Sequence, residues 1–134
     1  MKFYLKGEAK IYPTEDAGKV KTAIENLFSS LNFKLEKEDE IQTLIFWSER
    51  MESLQKMKNI LRQDQVRDAV RSFLYGRIDG NRVKFWLNKQ VAYAGHASLC
   101  EPYGESPLGP IEVEIECEDP KKLIDWLSPS SQQG

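Results

Sequence analysis

DGNRVKFWLNKQVAYAGHASLCEPYGESPLGPIEVEIEC, residues 79–117, alternates in polarity at both ends and breaks in the middle. At its C-terminal end Ile111, Val113, Ile115 and Cys117 alternate with Glu112, Glu114 and Glu116. That is the period-two pattern of a strand with one dry face and one wet face. At its N-terminal end Asp79-Gly80, set between Ile78 and Val83, is a two-residue hairpin signal. The strand that follows is predicted to turn Val83, Phe85 and Leu87 inward and Arg82, Lys84 and Trp86 outward. Between the two strands Asn88 can cap a short helical turn through Tyr93, and Gly95 can end it. Ala97 and Leu99 suggest a short extended piece. The loop over 101–110 holds Pro102, Pro107 and Pro110, which fix φ and make it stiff.

Upstream, residues 3–11 alternate in the same way, with Phe3, Leu5, Ala9 and Ile11 on one side and Tyr4, Lys6, Glu8 and Lys10 on the other. Pro13-Thr14-Glu15-Asp16 reads as a helix start with Thr14 as the cap. Val20, Ile24, Leu27, Phe28 and Leu31 follow at helical spacing, and Asn32 is the expected stop. Phe33 and Leu35 begin a second strand, and the charged run 36–40 is expected to be a solvated hairpin. A third strand over 41–47 is apolar on both faces, Ile41, Ile45 and Trp47 on one and Leu44 and Phe46 on the other. Such a strand is either central or an interface. Helical spacing returns in Leu54, Met57 and Leu61, then in Val66, Ala69, Val70, Phe73 and Leu74, with Asp64 as the expected cap of the second segment and Gly76 as its stop. At the C-terminal end Asp119-Pro120 is a cap followed by proline at the first helical position, and Leu123, Ile124 and Leu127 dock the last helix.

These elements run β-α-β-β-α(α)-β, then a helical turn, a strand and a helix. The start matches the ferredoxin-like split βαβ pattern. The predicted class is α+β: a single largely antiparallel sheet of about five strands with helices packed mainly on one face. Residues 1–128 form one expected domain and 129–134 a polar tail. The open sheet face is predicted to carry Tyr4, Lys6, Arg82, Lys84, Trp86 and the glutamate row.

The totals limit function. Nineteen basic against 21 acidic side chains give a formal charge of −2, without the basic excess usual in proteins devoted to phosphate backbone. Cys100 and Cys117 lack zinc or disulfide spacing and are expected to be reduced and buried. No apolar run approaches the ~20 residues of a membrane span, and MKFYLKGEAK lacks a signal-peptide core, so the cytoplasm is expected. Catalytic parts are scarce. His96 is the one histidine, Ser98 lies two residues on, and no G-x-S-x-G elbow, P-loop or G-x-G-x-x-G is present. A pocket around Asn88, His96 and Glu105 is the place where an enzyme would hide; no enzyme, cofactor or metal site is expected. The binding pattern is richer. Arg82, Lys84 and Trp86 share a face, with Lys89 and Tyr93 following, and cations beside aromatics suit base stacking and phosphate contact. A second basic surface lies on the helices, where Arg62, Arg67 and Arg71 join Lys56 and Lys58. The plainer account of the sheet pairs Arg82 and Lys84 with Glu112 and Glu114 across strands.

PTED before the first helix, RSFLYGRIDGNRVKFWLNKQVAYAG, ESPLGPIEVEIE and EDPKKLIDWLSP together resemble an uncharacterised family of small archaeal proteins labelled RNA-binding. The resemblance spans residues 3–129 and is weakest over 33–62. It implies a fold like that of the large-subunit ribosomal protein that binds 5S rRNA, an antiparallel sheet backed by helices. It implies no catalytic residues. The expectation is a non-enzymatic protein associated with structured RNA or ribonucleoprotein, through Arg82, Lys84, Trp86, Lys89 and Tyr93 with Arg67 and Arg71 as a second patch. The alternative is a protein-interaction module or homodimer, through the open sheet face or the Leu44–Phe46 side, that binds no nucleic acid.

Overall fold

The structure, a computed structural model, describes residues 2–103 and 108–131. In chain order the elements are β1 (Phe3–Ile11), α1 (Ala17–Leu27), β2 (Asn32–Glu38), β3 (Ile41–Ser48), a 3-10 turn (Met51–Leu54), α2 (Gln55–Gln63) and α3 (Arg67–Tyr75). There follow β4 (Ile78–Asp79), β5 (Arg82–Leu87), α4 (Lys89–Tyr93), β6 (Leu99–Cys100), β7 (Ile111–Cys117) and α5 (Pro120–Leu127).

The strands form one sheet in the order β2-β3-β1-β7-β5-β4, with β6 joined to β5, and every pairing is antiparallel. Among the described residues the count is seven, not about five. The two additional strands are the two-residue β4 and β6, which the hairpin signal and the short extended piece had marked only as turns and connections. The ferredoxin-like order is not kept. β2-β3-β1 follows it, but β7, from the far end of the chain, lies between β1 and β5. β5 therefore pairs with β7 on one side and β4 on the other.

Alternation decides which face is dry. Phe3, Leu5, Ala9 and Ile11 of β1, Leu44 and Phe46 of β3, Val83, Phe85 and Leu87 of β5, and Ile111, Val113, Ile115 and Cys117 of β7 are buried. They join Val20, Ile24 and Leu27 of α1, Met57 and Leu61 of α2, Val70 and Leu74 of α3, Ala92 of α4, and Leu123, Ile124 and Leu127 of α5 in one core cluster. The helices thus cover one face, and each large side chain buried there stabilises by about 1.5–3 kcal/mol relative to exposure. Leu44 and Phe46 are core, so that side of β3 offers no interface. Both cysteines are buried and neither forms a disulfide.

The local rules hold in part. Asp16, not Thr14, caps α1: its Oδ1 accepts from the Gly18 N–H at 2.7 Å and the Lys19 N–H at 3.2 Å. α1 ends at Leu27, and Asn32 already opens β2. Asp64 does not cap α3, which starts after Val66 without a side-chain cap. Asn88 and Asp119 cap α4 and α5 as their spacing predicts, accepting from the N–H of Val91 at 2.9 Å and of Lys122 at 3.1 Å.

Candidate nucleic-acid interface

The open sheet face gathers Arg82, Lys84 and Trp86 as the alternation requires, and it sets the glutamates of β7 directly beside them. β7 pairs with β5 in the register Arg82↔Glu116, Lys84↔Glu114 and Trp86↔Glu112, and with β1 in the register Lys6↔Glu114 and Glu8↔Glu112. Lys6, Arg82 and Lys84 each find a carboxylate. Lys6 lies 3.2 Å from Glu114, Arg82 3.5 Å from Glu116, and Lys84 takes the diagonal to Glu112 at 3.4 Å. The indole N–H of Trp86 donates to Glu112 at 3.3 Å. Two cations lie near that ring: Arg77 Cζ is 5.3 Å and Lys84 Nζ 5.9 Å from its centroid. Arg77, which no periodicity singles out, also reaches Glu101 at 3.2 Å. Trp86 is half-buried among these partners. The face is charge-balanced, and a phosphate chain laid on it meets three carboxylates together with three cations.

Lys89 and Tyr93 lie elsewhere, on α4 among the helices. Lys89 is 5% exposed and all three of its N–H donors are used. They reach the Lys10 carbonyl at 2.7 Å, the Leu108 carbonyl at 2.7 Å and the Glu15 carboxylate at 3.1 Å and 3.2 Å. Burial holds its ammonium below the ordinary lysine value, against the pull of Glu15. This lysine ties the proline loop and the end of β1 to the start of α1, and no donor is left for a ligand. Tyr93 is exposed beside α1, with Lys19 Nζ 6.0 Å from its ring centroid. Asn26 donates to the carbonyls of Ala92 and Tyr93 and fixes α4 there.

The helical patch divides as well. Arg71 is committed within the fold: its Nη1 is 2.6 Å from Asp125, and its guanidinium lies 4.9 Å from the Tyr75 ring centroid. The Tyr75 hydroxyl donates to the same carboxylate at 2.6 Å, which holds Asp125 below the usual carboxylate range and pushes Tyr75 up. Lys56 and Lys58 reach from α2, to the Glu25 carbonyl near the end of α1 at 2.8 Å and to the Trp126 carbonyl near the end of α5 at 2.7 Å. Cations at helix C-termini are favourable there. Burial, then the nearby Arg67 and Arg62 charges, depress the Lys58 ammonium. Among the described residues no carboxylate comes within 4 Å of Lys56, Lys58, Arg62 or Arg67. Asp68, beside Arg67, is occupied by the Ser131 amide at 3.0 Å and hydroxyl at 2.7 Å.

Around the suggested enzyme pocket the parts point in different directions. His96 Nδ1 lies 2.9 Å from Asp64 Oδ2 on the surface, and the Asn88 side chain is used as a cap. Glu105 falls outside the described residues. Among those residues no group of three or more His, Cys, Asp or Glu side chains is arranged to hold a metal, and no helix is long and apolar enough to cross a membrane.

A family model described as RNA binding matches residues 4–117. A UPF0201 protein of Sulfurisphaera tokodaii is 44% identical over 127 residues, covering 95% of this chain and 88% of the relative. One from Sulfolobus acidocaldarius is 41% identical with the same coverage. The crystal structure of a UPF0201 protein from Methanococcus jannaschii superposes with a TM-score of 0.85 at 32% identity, over 96% of this chain and 94% of that one. The chain therefore belongs to the archaeal UPF0201 family, a family of uncharacterised proteins, and carries over most of its length the sequence pattern described as RNA binding.

Proposed function

We propose that this protein is a non-enzymatic, cytoplasmic partner of structured RNA or ribonucleoprotein, and that it meets the phosphate backbone with its helical face, through Lys58, Arg62 and Arg67. The family model's description supports the class of partner. The choice of face rests on one contrast: Lys6, Arg82 and Lys84 each have a glutamate beside them, whereas Lys58, Arg62 and Arg67 have no carboxylate within 4 Å among the described residues. Lys58 and Arg62 are four residues apart on α2, a like-charge spacing that costs a helix about 0.2–0.5 kcal/mol. A polyanion relieves that repulsion and releases its own counterions on binding. The likeness to the 5S-rRNA-binding ribosomal protein belongs to this same reading, and shape alone does not establish it.

Fluorescence anisotropy with a labelled RNA hairpin, titrated at several salt concentrations, tests it. Arg62→Ala with Arg67→Ala is expected to weaken binding about tenfold or more and to lower the salt slope by about 2. Arg82→Ala with Lys84→Ala is expected to leave both nearly unchanged. No binding at about 50 mM salt would end the RNA reading, and a larger loss from the sheet pair than from the helical pair would move the interface to the sheet.

A further inference from the structure

β2 is an outer strand: it pairs with β3 on one side, and among the described residues nothing pairs with the other. Its register with β3 is unbroken from Asn32↔Trp47 to Glu38↔Ile41, so no bulge turns the edge away. Its sequence, NFKLEKE, has no proline. An edge of this kind presents a row of unpaired N–H and C=O groups. Leu35 lies on the helix side of the sheet and is 50% exposed, although its register partner Leu44 is buried.

The charges around Leu35 are opposite in sign and symmetric in position, Lys34 before it and Glu36 after it. On a two-fold axis through Leu35, an antiparallel β2–β2 pair sets Leu35 against its own copy. Lys34 then faces Glu36 of the second copy, and Glu36 faces Lys34. Phe33 meets the Lys37 stem, and Asn32 meets Glu38. A parallel in-register pair would instead face Lys34 with Lys34, so the sign pattern selects the antiparallel arrangement. Charged edge residues often serve only to repel other strands. Within one chain Lys34 Nζ lies 3.4 Å from Glu36 Oε1, both side chains largely exposed, and an antiparallel pair lets each exchange that partner for its counterpart on the second copy.

We infer that two copies of this chain join edge to edge through β2, antiparallel, with Leu35 on the two-fold axis and two Lys34–Glu36 pairs flanking it. The axis is perpendicular to the sheet, so both helical layers fall on the same side of the continuous sheet. The contact is one strand and one apolar side chain, below the ~1,200 Å² of a standard interface, and the dimer is correspondingly weak and concentration-dependent. The inference rests on the edge and not on RNA binding.

Sedimentation equilibrium of the full chain without RNA, from about 5 to about 500 µM, tests it in the range expected of a small interface. The mass is expected to rise from 15.5 kDa toward twice that value. Lys34→Glu places glutamate opposite glutamate and is expected to weaken association about tenfold or more, as is Leu35→Lys. Lys34→Glu combined with Glu36→Lys restores the opposite-sign pairs and is expected to return association to near the parent value. A monomer throughout the range overturns the proposal. So does a dimer indifferent to Lys34→Glu and Leu35→Lys, and so does a charge swap that fails to restore association. All three changes lie on an exposed edge, and the far-ultraviolet circular dichroism of each variant confirms that it is folded.

Discussion

Lys89 illustrates how one buried cation is made tolerable. An ammonium removed from water costs several kcal/mol unless its donors are met, and here two carbonyls and a carboxylate meet them. Glu15 is itself only 9% exposed and also accepts from the Tyr12 amide at 3.1 Å. Lys89→Met strands that carboxylate and two carbonyls and is expected to cost about 3 kcal/mol of unfolding free energy in urea denaturation. Adding Glu15→Leu removes the orphaned charge and is expected to recover at least half of the loss. A cost below about 1 kcal/mol for the single change would show that water reaches the pair. The affinity of Lys89→Met for RNA, measured below its melting range, is expected to match the parent, since this side chain offers a ligand nothing.

At the scale of elements, β1 sets the sheet, lying between β3 and β7 with seven register pairs on each side. Gly7 occupies an inward position where the alternation calls for an apolar side chain. A Cβ there would fall within the envelopes of the Glu112 carbonyl oxygen and the Phe46 ring. Phe46 fills that space, stacked on Phe28 with ring centroids 5.9 Å apart. Gly7→Ala is therefore expected to destabilise by about 1–3 kcal/mol through overpacking, despite alanine's better strand fit, and Phe46→Leu is expected to suppress part of that penalty. Additive losses in urea denaturation would show that the two positions do not compete for the same space. The strands themselves were legible because period two is local: β1, β5 and β7 follow their alternation residue by residue. The insertion of β7 between β1 and β5 was not legible, because strand pairing across about thirty residues to β5 and about a hundred to β1 leaves no periodic trace. Caps were legible at Asn88 and Asp119, each just before its helix, and misplaced where Thr14 and Asp16 competed and at Asp64, after which the chain runs two residues further before α3 begins. The candidate contacts divided for the same reason. Alternation placed Arg82, Lys84 and Trp86 together, but nothing local to Lys89 shows that Glu15, 74 residues away, closes over it.

For the whole molecule the arrangement of charge matters more than its total. The formal charge is only −2, yet on the helical face Lys58, Arg62 and Arg67 have no carboxylate within 4 Å among the described residues, whereas the open sheet face alternates cations with carboxylates. A polyanion approaching within a Debye length, ~8–10 Å, senses the local face rather than the sum. On this view the glutamate row of β7 keeps nucleic acid off the sheet and leaves the helices as the attractive side. Glu112→Gln, Glu114→Gln and Glu116→Gln together test that role, since they free Lys6, Arg82 and Lys84 while glutamine keeps an acceptor for the Trp86 N–H. The formal charge rises from −2 to +1. The pairs lost are partly exposed, so stability is expected to change by less than about 1 kcal/mol per pair. RNA affinity at low salt is expected to rise, and the slope of log affinity against log salt to steepen by about 2–3 as new phosphate contacts form on the sheet. Because those contacts read no base edge, the gain should extend equally to unrelated RNA sequences. An unchanged slope would mean that RNA does not reach the sheet even without the glutamates, and that something other than carboxylate repulsion keeps it away.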